Sequence, residues 1–372
     1  MTTIIISSRE LLNKCNNLAR VINSKNSLPI LDNLRFEVDG CKLHITASDS
    51  EHFAIAHIEL QDELANHVFG VNARTIVTAL KELPEQPLTL EIDNTTCTVH
   101  YNNGHFNMPL AESILEYPMF PKMHETSSLT ISVESLKRIF SKAPIFAASD
   151  ELRPVMNGIC FNFDDKLEAV ASDGHALIKM TENCTHEGNG SFIMSLKTAK
   201  LAEAFIGKDD EQITIGHNRT HSYIKFAEYE LYSRMIEGKY PNYNSVIPQN
   251  YTDFIEFNRA DLLYSVKRVG VFSNAASQLL KFTISGFELN VKGEDVDFYT
   301  KAEETLMVDK VGNDIKIGFK AGLTQTILSS FTDERLRMKY LDGTRAALFF
   351  PADTVESDHS MIVIQMPMML ND

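Results

Sequence analysis

No stretch of this chain approaches the roughly 18 consecutive apolar residues that a membrane-spanning helix needs, so no span is expected. The start, Met1-Thr-Thr-Ile-Ile-Ile-Ser-Ser-Arg9, has no basic n-region, and its apolar run is too short for a secretory signal. Cysteine is scarce: Cys15, Cys41, Cys97, Cys160 and Cys184 are odd in number and scattered, with no Cys-x-x-Cys spacing. That pattern argues against a disulfide framework or a zinc site and fits reduced thiols. A soluble, cytoplasmic protein with no membrane partner is the expectation.

Catalytic signatures are missing as well. The chain has no P-loop, no Gly-x-Gly-x-x-Gly, no Gly-x-Ser-x-Gly and no His-Glu-x-x-His among its 12 histidines. Ser172-Asp173-Gly174-His175 holds the residue types of a triad. Neighbours along a strand and turn point in different directions, however, and triads are assembled from distant positions. Gly293-Glu-Asp-Val-Asp297 reads as an exposed acidic loop rather than a cation site. No catalytic residue, metal or cofactor is expected. Positive charge is also short, with 35 basic against 50 acidic residues and a formal charge of −15. Taken as a total, that opposes a polyanionic partner, so the distribution of charge decides.

What is present is a repeat. With 372 residues and 44% hydrophobic composition there is room for two or three cores, and three similar stretches follow one another. Ile6-Ser-Ser-Arg-Glu-Leu11, Ile131-Ser-Val-Glu-Ser-Leu136 and Phe257-Asn-Arg-Ala-Asp-Leu262 each read as a strand running into a helix, with Ser or Asn placed to cap it. A second strand-to-helix passage follows in each: Val68–Val71 into Ala73–Leu83, Phe192–Met194 into Leu196–Ile206, Ile315–Phe319 into Ala321–Phe331. Between them lie alternating strand pairs. Asn33–Val38 is predicted to turn at Asp39-Gly40 into Lys42–Thr46; Ile159–Phe163 joins Leu167–Val170; Leu280–Ile284 turns at Ser285-Gly286 into Glu288–Val291. Further hairpins close each stretch: Leu88–Ile92 with Thr96–Tyr101, Gln212–Ile215 with Ser222–Phe226, Leu336–Tyr340 with Arg345–Phe350, and then a last strand Met361–Met366. Ala47-Ser48-Asp49 recurs as Ala171-Ser172-Asp173, and Glu116-Tyr-Pro-x-Phe-Pro121 is echoed by Lys239-Tyr-Pro-x-Tyr243. The expected class is α+β, three tandem domains of two helices on antiparallel sheets. The domains span 1–125, 126–250 and 251–372, with joints near Lys122–Ser128 and Pro248–Asp253.

The predicted helices, with the loop after the first, carry sixteen lysines and arginines against five acids, and the excess is positive on all six. Solvated helix faces explain any one of these. An excess of one sign on every helix of an acidic chain predicts a surface facing phosphates, without base recognition. The end of the chain, Met361-Ile-Val-Ile-Gln-Met366-Pro-Met-Met-Leu370, is nearly all apolar. Residues 361–366 read as a buried strand. Pro367 cannot continue a ladder, so the methionines beyond it suggest an adaptable docking patch.

These residues resemble a known family. Leu28-Pro-Ile-Leu-Asp-Asn33, Met156-Asn-Gly158, Ala171-Ser-Asp-Gly-His175, Tyr240-Pro-Asn-Tyr243 and Met366-Pro-Met368, in order over the whole chain, look like the bacterial sliding clamp, the beta subunit of DNA polymerase III. The resemblance implies a non-catalytic processivity factor. Two copies would join head to tail in a six-domain ring around double-stranded DNA, lined by twelve helices. It implies a pocket for a short peptide carrying Gln and hydrophobic residues, borne by the replicative polymerase, the clamp loader, and repair or translesion polymerases. Matched by position, that pocket would comprise Met156, Ser172, Gly174, His175, Leu177, Pro241, Val246, Ile364, Met366, Pro367 and Met368. Ala176 and Met369 stand where arginine is common in the family, and Asn371-Asp372 extend the end. The homodimer interface would be Phe106 and Met108 against Val271 and Phe272. DNA contact falls to Lys25, Lys197 and Arg74, with Arg20, Lys137, Arg138 and Lys267 as further candidates. Two competing readings remain. An enzyme of repeated α+β domains predicts a deep polar pocket, and an acidic adaptor without DNA contact predicts helix cations neutralised by acids.

Overall fold

The computed structural model describes residues 2–120, 123, 127–208, 210–353 and 360–370. The expected joint at Lys122–Ser128 lies mostly outside them, as do Pro121 and Asn371-Asp372. Among the described residues there are six α-helices: α1 (Ser8–Leu18), α2 (Ala73–Lys81), α3 (Val133–Lys142), α4 (Leu196–Phe205), α5 (Arg259–Gly270) and α6 (Ala321–Ser330). Each begins on the residue after a strand ends. Capping explains several of these switches. Asn258 Oδ1 accepts the N–H groups of Ala260 and Asp261, Asn72 Oδ1 accepts that of Thr75, and Ser132 Oγ accepts that of Ser135. Each satisfies a donor that the first helical turn leaves free. The expected cap at α1 is not made, because Ser7 forms no side-chain cap bond. Ser8 Oγ instead donates to Pro84 O and accepts from Gln86 N, fastening α1 to the segment before the strand Pro87–Ile92.

A second expectation is corrected at Asp39-Gly40, which does not turn the chain. Asn33–Ser48 is a single strand paired along its length with His52–Asn72, and Gly40, at φ +58°, sits where the register shifts. Glycine there admits a β-bulge, which bends a strand without ending it. The real turn is Asp49-Ser50-Glu51, where Asp49 Oδ1 accepts the N–H groups of Glu51 and His52. Ser285-Gly286 is a true turn, joining Leu279–Ser285 to Glu288–Asp295.

The chain divides into two compact units. Unit 1 comprises residues 1–136, 185–189 and 197–235, and unit 2 comprises 137–184, 190–196 and 236–372, so the middle third of the sequence contributes to both. Unit 1 has a four-stranded antiparallel sheet, in the order Thr2–Ser7, Pro87–Ile92, Thr96–Tyr101, Gly104–Pro109. It also has a seven-stranded sheet, Thr185–Glu187, Ser127–Ser132, Gln212–His217, His221–Lys225, Tyr229–Arg234, His52–Asn72, Asn33–Ser48. Unit 2 has a nine-stranded sheet that includes Gly158–Phe163, Leu167–Ser172, Ala176–Glu182, Ser360–Gln365 and Ala347–Pro351 in that order. Its four-stranded sheet runs Thr300–Met307, Glu288–Asp295, Leu279–Ser285, Ile315–Lys320. Period-two alternation fills the cores: Leu88, Leu90 and Ile92, or Leu280, Phe282 and Ile284, are fully buried. In α5 the buried Leu262, Leu263, Val266 and Val269 form one helical stripe. No helix among the described residues is long and apolar enough to cross a membrane.

Candidate functional site

In unit 2 the strand Ala176–Glu182 lies between Leu167–Ser172 and Ser360–Gln365, which sets Leu177 opposite Ser172 on one side and Ile364 on the other. Leu177 and Ile364 belong to a buried cluster with Cys160, Val170, Ile193, Tyr240 and Leu348. This cluster lies where the resemblance places the floor of the peptide pocket. Met156, buried, stands on the turn at residues 154–156. The tail leaves the sheet on the far side. Met366 N donates to His175 O at 2.8 Å, and beyond Pro367 Met368 N donates to Gly318 O at 2.8 Å. The last strand, Ser360–Gln365, thus stops before the proline, and the segment after it is held by a single bridge. Met366 is 44% and Met369 82% exposed. Pro241 and Val246 lie exposed on the segment that follows Tyr240, with Val246 N bonded to Tyr243 O.

The triad-like run is a turn. Ser172 Oγ donates to Ala176 O and accepts from Gly174 N, while Asp173 Oδ1 accepts the N–H groups of His175 and Ala176. Serine and aspartate are therefore engaged with backbone rather than aligned on the imidazole. Gly174 has φ +88°, and a Cβ there would come 2.7 Å from Arg153 Nη1. Arg153 was not recognised in the sequence, since a lone basic residue before a proline gives no periodic signal. It lies over this turn, its Nε donating to Asp150 Oδ2 at 3.1 Å. Tyr243 was also missed as a site residue. It packs against the floor, and its hydroxyl donates to Glu168 Oε2. Burial, and then that bond, push the Tyr243 phenol up. Ala176 is buried and offers nothing to the rim.

The helix cations fall into two groups. Arg9–Glu85, Lys14–Glu228 and Lys197–Asp49 are ion pairs in unit 1, and Arg138–Glu182 and Arg268–Glu304 in unit 2. Two of the proposed DNA contacts, Arg138 and Lys197, are thus not free charges. Arg138 grips the buried Glu182 with Nε and Nη2. Lys197 Nζ donates to Asp49 Oδ2 (2.6 Å), Asn23 Oδ1 (2.7 Å) and Val21 O (2.8 Å), so it ties the loop after α1 to the Asp49 turn. By contrast Arg20, Lys25, Arg74, Lys137 and Lys267 are exposed, and none of them is in an ion pair among the described residues. In unit 1, Arg20, Asn23, Arg74 and Lys81 line an open concavity of about 810 Å³ between the end of α1 and α2.

Of the four candidate interface residues, Val271 and Phe272 are exposed at the end of α5, at 79% and 42%. Phe106 is half-buried, its ring 6.2 Å from Tyr101, on Gly104–Pro109, the edge strand of its sheet. Met108 is 2% exposed and faces the core of unit 1, where it pairs in register with Cys97. It supports that edge from beneath rather than presenting a surface.

Family profiles described as the DNA polymerase III beta subunit N-terminal, central and C-terminal domains match residues 2–121, 130–242 and 244–368. The beta sliding clamp of Pseudomonas putida is 24% identical over 372 residues, covering 98% of this chain and 99% of its own. Among solved structures, the sliding clamp of Pseudomonas aeruginosa bound to griselimycin superposes with a TM-score of 0.93 at 22% identity, covering 99% of both chains. The beta subunit from Thermotoga maritima gives 0.90 at 23% identity, covering 99% of this chain and 100% of its own.

Proposed function

The chain belongs to the DNA polymerase III beta subunit family of sliding clamps, and from that premise we propose that two copies close head to tail into a ring around duplex DNA. The ring has no chemistry of its own. It converts weak, salt-dependent attraction to phosphates into topological linkage, and holds polymerase, clamp loader and repair or translesion polymerases by a short apolar peptide in the unit 2 groove. It works in the cytoplasm, and the helices of both copies face the DNA.

The observation that carries this reading is the residue of uncompensated charge. Arg20, Arg74, Lys137 and Lys267 on helices or their ends, and Lys25 in the loop after α1, are exposed and outside the ion pairs found among the described residues, in a chain whose formal charge is −15. Exposed cations in an acidic protein attract a polyanion to one face and repel it elsewhere. Loose phosphate contacts suit sliding, whereas base-specific contacts would arrest it. Ring closure is supported by the open strand edges Gly104–Pro109 and Thr300–Met307 and by the exposed Val271 and Phe272. Unpaired edges seek a partner strand. Gel filtration, with retention on nicked circular and linearised plasmid in the presence of the cognate loader, tests the reading. A dimer retained on circles and lost on linear DNA is expected. A monomer, or retention indifferent to topology, would overturn it.

A further inference from the structure

The internal repeat allows the two units to be compared position by position. The turn at Asp49–Glu51 repeats that at Asp173–His175, each aspartate accepting two backbone N–H groups. Phe53 then lies opposite Tyr232 as Leu177 lies opposite Ile364. Arg234 N donates to Glu51 O at 2.9 Å as Met366 N donates to His175 O at 2.8 Å. Tyr117-Pro-Met-Phe120 corresponds to Tyr240-Pro-Asn-Tyr243. The frame of the groove is present twice.

The two copies differ in where the last aromatic ring goes. In unit 1 the Phe120 ring stacks on Tyr232 with centroids 4.6 Å apart, and meets His221 at 5.0 Å and Phe53 at 5.5 Å edge-on. It stands on the pair that corresponds to the floor residues Ile364 and Leu177. In unit 2 the matching ring also packs against the floor cluster, but its hydroxyl is held toward Glu168 and Asn162. Tyr243 donates its hydroxyl to Glu168 Oε2, Asn162 Nδ2 reaches that hydroxyl at 3.5 Å, and Lys179 pairs with Glu168. Burial alone would raise the Glu168 carboxyl, but the Lys179 and Tyr243 hydrogen bonds outweigh it and keep it ionised as an acceptor. Glu168 faces Thr181, four positions along the strand from Leu177, or about 13 Å at strand spacing. Neither half of this tether exists in unit 1. Phenylalanine has no hydroxyl, and His44 occupies the position of Glu168.

We propose that unit 1 holds a second groove of the same design, filled by the chain's own Phe120, and that the Tyr243–Glu168 tether keeps the unit 2 groove from being filled in the same way. The proposal rests on the reading of the unit 2 groove as the peptide site. Tyr243 is a positioning residue there: an untethered ring at this place gains contact by folding onto the apolar pair at the end of the turn, as Phe120 does on Phe53 and Tyr232. The second groove takes a short segment ending in an aromatic residue, which the chain itself supplies.

The test is peptide binding by fluorescence anisotropy on the full chain. The probe is a labelled synthetic peptide of glutamine followed by leucine and phenylalanine. Tyr243→Phe and Glu168→Ala are each expected to weaken binding about tenfold or more, a change readily resolved as a shift in Kd. Glu168→Gln, which keeps an acceptor, is expected to bind much as the unaltered chain does, and that contrast separates tethering from general loosening. For unit 1, a labelled peptide copying residues 112–120 is expected to bind Phe120→Ala and not the unaltered chain. Phe120→Val, which removes the ring but keeps a small apolar side chain, replaces it should the alanine variant fail to fold. If the unaltered chain takes up no glutamine-bearing peptide, the peptide-site reading falls and this proposal with it. If it binds, but Tyr243→Phe binds equally well, only the tether is overturned. Failure of the 112–120 peptide to bind either Phe120 variant overturns the second groove.

Discussion

The Asp49 carboxylate is 3% exposed and is shared between two backbone N–H groups and the Lys197 ammonium. Burial alone would raise its pKa, but hydrogen bonds from His52 and Lys197 outweigh burial and hold it well below the usual carboxylate range. Removing the ammonium leaves the buried carboxylate to His52 and the backbone N–H groups, one charged partner short. Lys197→Met should therefore destabilise unit 1 by about 3 kcal/mol in urea unfolding, besides freeing the loop at Val21–Asn23. Nearby Glu230 is held at about 2 by hydrogen bonds from His57 and Tyr232 against opposing burial. A depressed acid contributes stability above its unfolded pKa and loses it as pH falls through the folded value. Glu230→Gln should thus lower Tm at neutral pH and flatten the Tm profile between about pH 4.5 and about pH 2, the usual and the folded values. The exposed cations should behave differently. Alanine at Lys25, Arg74 or Lys267 should leave stability nearly unchanged while reducing the slope of log affinity for DNA against log salt by about one unit. A fall in Tm instead of a change in slope would place that residue with Lys197.

At the scale of the element, the six helices are set by strand ends and caps more than by long apolar stripes. Asn258 accepts two N–H groups at the start of α5, whereas Ser7 caps nothing. Asn258→Ala should cost about 1 kcal/mol, and Ser7→Ala close to none, by chemical denaturation. The tail is the other element with a separable role. Among the described residues its backbone ties past the last strand are the bonds of Met366 to His175 and Met368 to Gly318. Truncation after Gln365 should abolish binding of the glutamine-bearing peptide and leave the dimer intact on gel filtration. Retained binding would move the pocket away from the tail.

At the scale of the whole molecule, the proposed ring closure would join one surface of unit 1 to one of unit 2 of a second copy. Phe272 stands exposed at the end of α5, and Phe106 lies half-buried on the edge strand Gly104–Pro109. Phe272→Ala removes an anchor that a second copy would cover. At roughly 3 kcal/mol for an emptied aromatic contact, the dimer constant by sedimentation should weaken by about a hundredfold. An unchanged constant would remove Phe272 from the interface.

The repeat, the six helices, the hairpin pairs and the apolar tail were legible in the sequence, because period-two and period-3.6 alternation record which side of an element is buried. Caps at Ser132 and Asn258 were legible for the same local reason. Long-range pairings were not. Lys197 and Asp49 are 148 residues apart, Arg138 and Glu182 are 44 apart, and no local pattern marks a cation as neutralised. Asp39-Gly40 carried turn chemistry, yet strand pairing on both sides of it made a bulge. Phe120 and Tyr243 share a motif, and only the tertiary structure brings Glu168 to the hydroxyl of one and Tyr232 to the ring of the other. Alternation is a property of the neighbours along the chain, whereas the fate of a charge or a ring depends on what the fold brings to it.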